Sequence, residues 1–176
     1  MPTTSIIRTA TPTDAEQIAF VHIESWRTTY PGIVTDEYLD KLNLQTRTSY
    51  WQRELDEFCD NVFVAENDGK IVGFATAGES REEKGYESEL YAIYLLQQHQ
   101  KKKLGRLLMT ATVNYLLNCG QSSMYVWVLS DNNSKLFYER LGGQLFEEKT
   151  VEIGGQQLKE IAYGWTDLNK LVTTLT

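Results

Sequence analysis

The chain has 176 residues, 41% hydrophobic and 23% charged, with a formal net charge of -7. This is the mix of one globular domain over residues 1–176 rather than a disordered chain, and the acidic balance argues against nucleic acid as a partner. No apolar run reaches the ~18 residues of a membrane span, and the N-terminal stretch lacks an apolar segment of signal-peptide length.

Two cysteines, Cys59 and Cys119, and two histidines, His22 and His99, occur without a CxxC spacing, so no metal site is expected. Free thiols, buried or half-buried, in a cytoplasmic protein are the expectation for the cysteines.

In chain order, Ser5 to Arg8 is a short strand. Thr13 and Glu16 have capping-box spacing before a helix that runs to about Tyr30, with Ala15, Ile18, Ala19, His22 and Trp26 on one face. Pro31-Gly32 stops it. Two further helices cover Asp36 to Leu42 and Thr46 to Phe58. A hairpin pairs Asn61–Glu66 with Ile71–Gly78 across Asn67-Asp68-Gly69-Lys70, whose Asp-Gly suits a tight primed turn. Glu79 to Gly85 reads as a solvated charged loop.

The strand Tyr86–Leu96 carries Tyr91, Ile93 and Leu95 on one parity and Leu90, Tyr94 and Leu96 on the other. A strand apolar on both parities is covered on both faces and belongs in the middle of a sheet. A lysine-rich turn, Gln100 to Arg106, then opens a helix bearing Leu104, Leu107, Leu108, Ala111, Tyr115 and Leu116, which Gly120 ends. A helix N-terminus exposes unpaired N–H groups and a partial positive charge. Four cationic side chains beside it, in an acidic protein, mark a site for an anion such as phosphate.

Met124–Val128 is a compact strand, Asp131 to Ser134 a turn, and Lys135–Leu141 a short helix. Gln144–Ile153 and Gln157–Trp165 form a hairpin through Gly154-Gly155, and Thr166–Leu175 a terminal helix. The fold class is therefore α/β, a mixed sheet flanked by helices, with a strand–helix–strand crossover at its centre.

Three segments carry a resemblance to the GNAT superfamily of acetyl-CoA-dependent N-acetyltransferases, over nearly the whole chain. They are Glu89–Leu96 with Gln100-x-x-Lys103-x-Gly105, the run Val128–Gly142 with its Asn-bearing loop and Phe-Tyr-Glu helix, and Ser25–Gly32 with Asp36–Leu39. Lys101 and Lys103 stand where glycine is usual in that loop. Asn132 lies one residue nearer Tyr138 than in many members.

The resemblance implies acetyl-CoA as the acyl donor and direct attack by a primary amine. It implies pyrophosphate binding by Lys101, Lys102, Lys103, Leu104, Gly105 and Arg106, through amides first. Ile93, Tyr94 and Leu95 would offer main-chain groups to pantetheine, with an oxyanion donor near Leu95. Phe137 would wall the channel and Asn132 orient the cofactor amide, although helix capping explains Asn132 equally. Tyr138 would be the general acid and Glu89 the base, directly or through water. Glu24, Trp26 and Tyr30 suit a cationic acceptor, although Trp26 equally fits a core. His22 reads as a packed face residue.

The acceptor class stays open between a small-molecule amine and a peptide or protein N-terminus. A non-catalytic acyl-CoA-binding module is a third reading, against which Glu89 and Tyr138 argue. The edge of the last hairpin permits a homodimer.

Overall fold

The computed structural model describes residues 5–176, so the start of the N-terminal stretch read for a leader lies outside the described residues. Seven strands form one sheet among them: β1 (Ser5–Thr9), β2 (Val62–Asn67), β3 (Lys70–Glu79), β4 (Ser88–Leu95), β5 (Met124–Leu129), β6 (Gln144–Ile153) and β7 (Gln156–Trp165). Their order is β1-β2-β3-β4-β5-β7-β6. The neighbours are antiparallel except β4 and β5, which run parallel. A parallel pair needs a crossover, and α4 (Leu104–Asn118) supplies it. The strand read as central lies fourth of the seven.

Two layers of helix bury the two faces. On one face, α4, α5 (Lys135–Arg140) and α6 (Leu168–Leu175) pack on Leu90, Val126, Val128, Ile161 and Tyr163. On the other, α1 (Ala15–Thr29) and α3 (Leu44–Phe58) cover Val62, Val64, Ile71 and Phe74. The short helix α2 (Asp36–Asp40) joins a separate cluster in which Tyr30, Val34, Leu39 and Leu129 meet Val151, Ile153 and Leu158 of the final hairpin.

Several details differ from the sequence reading. The capping box lies two residues earlier, where the Asp14 carboxylate accepts from the Thr11 backbone N–H at 2.8 Å, because Pro12–Asp14 forms a separate 3-10 turn before α1. Cys119 is exposed rather than buried, at the C-terminal end of α4, and Cys59 is half-buried; both are free thiols.

The strict alternation expected along β4 also fails. Ala77 pairs with Leu90 and Thr76 with Ala92, so Tyr91 is an extra residue, a bulge that reverses the parity. Leu90 and Ile93 therefore share the α4 face, while Ala92 and Tyr94 share the α1/α3 face. The Asp68-Gly69 turn is as expected, with both residues at positive φ (51° and 77°).

The charged loop after β3 is not simply solvated. It lies across the part of the sheet that no long helix covers. Tyr86 lies against Gly164 at a distance only a glycine permits, and its ring meets those of Phe146 and Tyr125 at a tilt. Arg81, Glu82 and Lys84 pair with Glu89, Lys149 and Glu147.

Candidate active site

The site begins with a failure of strand pairing. β4 and β5 meet only at Ser88↔Met124 and Glu89↔Tyr125. Beyond these pairs the strands diverge, β4 to Leu95 and β5 to Leu129, and the backbone edges that face each other have no strand between them. Unpaired buried N–H and C=O groups require partners, so the slot is built for a ligand that hydrogen-bonds along it. A cavity of about 270 Å³ opens there, walled by Glu89, Ile93, Tyr94, Val128, Asn132 and Tyr138 among others.

On the α4 side, the polar turn runs into the helix start. Lys101 and Lys103 both have positive φ, 61° and 66°. They take the left-handed backbone that glycine adopts freely and that costs another residue about 1 kcal/mol or more. No side chain caps the helix at Lys103, so the first N–H groups of α4 stay open to an anion. Lys101, Lys102 and Lys103 are all exposed beside them.

Leu104 directs its side chain into the core, leaving only its backbone for a ligand. Gly105 faces Leu95 and Phe137, and a Cβ there would lie 3.5 and 3.7 Å from them, so all three residues gather at the mouth of the slot. Arg106, the last of the expected phosphate set, already has a partner within the chain. Its guanidinium donates to the Thr174 carbonyl at 2.6 Å and so ties α4 to the end of α6.

At the deep end, three tyrosines converge. Tyr138 is buried, 5% exposed, among Phe137, Tyr163 and Trp165. Burial raises its pKa, so the hydroxyl keeps its proton through neutral pH. Among the described residues that hydroxyl has no hydrogen-bond partner. The Tyr94 hydroxyl accepts from Trp26 Nε1 at 3.1 Å and lies 3.5 Å from the Tyr30 hydroxyl. Burial, then the neighbouring tyrosines, raises the Tyr30 pKa as well. Asn132 donates to Tyr30 at 3.4 Å and accepts from the Ser134 backbone N–H at 2.9 Å. Its side chain thus ties the α5 turn to the end of α1.

Trp26 and Tyr30 line this cavity, but Glu24 does not join them. Residues two apart on a helix point ~200° away from each other. Glu24 pairs with Arg27 at 3.2 Å beside a second hollow with Phe20 and Leu44.

Glu89 is 2% exposed and both its oxygens are engaged. Arg81 donates to them from Nη2 at 2.7 Å and Nε at 3.0 Å, and the Tyr125 hydroxyl donates at 3.0 Å. The carboxylate expected as base is therefore held in a charge-assisted fork, with Oε1 accepting a single bond and the residue still lining the cavity.

Sequence reasoning missed the opposite wall: Arg81 and Glu82 from the loop, Trp127 of β5, Lys149 of β6 and Glu160 of β7. Lys149 bonds Glu82 at 2.9 Å, and its ammonium sits 3.9 Å from the Trp127 ring centre. A signal was available. Glu160 shares its strand parity with Leu158 and the buried Ala162, so it is a charge on an inward-facing row.

This geometry agrees with three comparisons. Residues 21–143 match the model of the acetyltransferase (GNAT) family. The chain is 42% identical over 172 residues to "Uncharacterized N-acetyltransferase YuaI" of Bacillus subtilis (strain 168), covering 96% of this chain and 97% of that protein. It is 27% identical over 94 residues, about half of each chain (53% and 55%), to the L-amino acid N-acyltransferase MnaT of Escherichia coli (strain K12). In fold it resembles the PaiA N-acetyltransferase of Thermoplasma acidophilum, solved in complex with coenzyme A. The TM-score is 0.72 at 22% identity, over 89% of this chain and 98% of that one. A lysine-flanked helix start with open N–H groups, a slot between diverging strands and a buried tyrosine at its end thus coincide with a family match over most of the chain. The chain belongs to the acetyltransferase (GNAT) family and is an acetyl-CoA-dependent N-acetyltransferase.

Proposed function

We propose that the acceptor is the primary amine of a small molecule bearing charges of its own, such as an amino acid, and that transfer is direct. One observation carries this reading. The turn of the β6–β7 hairpin sits on α2 so tightly that a Cβ on Gly154 would lie 2.9 Å from the Tyr38 side chain. The apolar cluster of Tyr30, Leu39, Leu129, Ile153 and Leu158 continues that contact. With the hairpin packed on α2, that side of the cavity of about 270 Å³ is closed, which suits a small acceptor better than an extended peptide. Its wall offers both signs of charge, Arg81 and Lys149 with Glu82 and Glu160. The name of the MnaT relative, an L-amino acid N-acyltransferase, supports the same class.

Bound acetyl-CoA supplies an acetyl group activated as a thioester. The α4 start and its lysines hold the phosphates. Ile93, Tyr94 and Leu95 offer the free edge of β4, with the N–H near Leu95 directed at the carbonyl oxygen. Tyr138 holds a proton for the departing sulfur. Glu89 fixes Arg81 on the cavity wall rather than acting as base.

Mass spectrometry of a panel of L-amino acids, simple amines and short peptides incubated with acetyl-CoA tests this. Acetylated amino acids or amines, with peptides unmodified, are expected; acetylation of peptides alone overturns the acceptor class. Tyr138→Phe lowers turnover ~10- to 100-fold with little change in coenzyme A affinity. Unchanged turnover removes its acid role.

A further inference from the structure

The reaction needs a proton acceptor, because an alkyl ammonium has a pKa near ~10 and cannot attack until it loses a proton. Two carboxylates of the sheet reach the cavity wall, Glu89 and Glu160, and their surroundings differ. Glu89 has every oxygen paired, as described. Glu160 is directly opposite Leu129 in the β5–β7 pairing, on the strand edge past which β4 and β5 have separated. Its side chain is 22% exposed, and its carboxylate accepts no hydrogen bond from the described residues. Its cationic neighbour, Lys149 Nζ, stands off at 4.0 Å, already bonded to Glu82 at 2.9 Å and lying over the Trp127 ring. Next to it the Trp127 Nε1–H is buried without a partner, so this corner has polar groups that protein alone does not satisfy.

We infer that Glu160 receives the acceptor's ammonium group and takes its proton; the inference rests on the acceptor reading above. In the step, one N–H proton passes to the Glu160 carboxylate. The freed nitrogen lone pair forms the C–N bond to the acetyl carbonyl carbon, the C–S bond breaks, and the sulfur takes a proton from Tyr138. As the C–S bond breaks, the nitrogen gives its second, surplus proton to the Tyr138 phenolate, directly or through solvent, which leaves the neutral amide and restores the acid, and Glu160 loses its proton to solvent. The charged groups facing Glu160 are Lys149 of β6, Glu82 of the loop and Glu89 of β4. Burial, opposed by Lys149 and aided by the two glutamates, raises its pKa, in the direction a base at neutral pH requires. Glu160, Tyr94 and Tyr138 line the same cavity, so the carboxylate and the acid face one shared space.

The experiment is the pH profile of kcat/KM for the best acceptor of the panel, in wild type, Glu160→Gln, Glu160→Asp and Glu89→Gln. Coenzyme A affinity by calorimetry and thermal melting report whether each variant is folded. For Glu160→Gln, turnover near pH 7 is expected to fall ~100-fold, the usual scale of a lost general base. The defect should close as pH rises toward the amine's own pKa, where the free amine no longer needs a base. Glu160→Asp should retain part of the rate, with a rising limb in its profile. A Glu160→Gln defect that is the same at every pH, or an alkaline rescue seen in Glu89→Gln instead, overturns the assignment. If wild type acetylates nothing in the panel, the acceptor reading fails first and this one with it.

Discussion

At the scale of single residues, the lysine turn before α4 is the most instructive part of the chain. Lys101 and Lys103 were legible as departures from a glycine pattern, and the structure gives them the glycine conformation nonetheless. Two lysines held at positive φ cost roughly 1 kcal/mol each in the folded state. Glycine would remove that strain but add a similar freedom to the unfolded chain. The double change to glycine therefore leaves thermal stability nearly unaltered. It should weaken coenzyme A binding about tenfold or more, and less in high salt, because the contribution is that of exposed charges. Calorimetric titration at low and high salt checks this; equal affinity in wild type and variant rejects side-chain contact with phosphate. Arg106 was equally cationic in the sequence, yet a carbonyl 68 residues away claims it. No local pattern carries that information.

At the scale of elements, periodicity was enough for nearly every helix and strand, because each buries one face or both. What it could not show was pairing between distant strands. The half proposed for the cofactor is built from one continuous strand–turn–helix, so its residues could be grouped from the sequence. The half proposed for the acceptor draws Arg81, Trp127, Lys149 and Glu160 from four separate segments, and a bulge at Tyr91 changes which residues of β4 face them.

The β6–β7 turn belongs to the same scale. Gly154 and Gly155 both have positive φ, 59° and 77°, but only Gly154 lies against Tyr38. Alanine at either position adds about 1–2 kcal/mol of backbone strain, lowering Tm by about 2–8 °C. Gly154→Ala should cost more than Gly155→Ala and also raise the acceptor KM, with coenzyme A affinity unchanged. Melting curves and steady-state kinetics for the pair measure the difference. Equal effects on both readouts would mean that the hairpin does not seal the acceptor side.

At the scale of the whole molecule, His22 links stability to pH. It sits among Trp51, Phe74 and Tyr94, and its Nδ1 accepts from Trp51 Nε1 at 3.2 Å. Burial, helped by Arg47, lowers its pKa from 6.5 to about 3. Between those values the unfolded chain binds a proton that the folded one refuses. Stability is therefore full above about pH 6.5 and declines as pH falls toward about 3. Denaturant midpoints at pH 7 and pH 5 should differ in wild type, and differ less in His22→Gln, whose amide still accepts from Trp51. An undiminished difference in the variant would remove His22 as the source.

The divergence of β4 and β5 also has a kinetic meaning. It makes a passage through the sheet, with the lysine turn and Phe137 on the α4 side and Trp26 and Tyr30 on the α1 side. On the proposed reading, donor and acceptor enter from opposite faces, so neither has to leave before the other arrives. Both can be present when the bond forms, and the enzyme's velocity then depends on the two concentrations together, in a pattern of intersecting rather than parallel double-reciprocal lines.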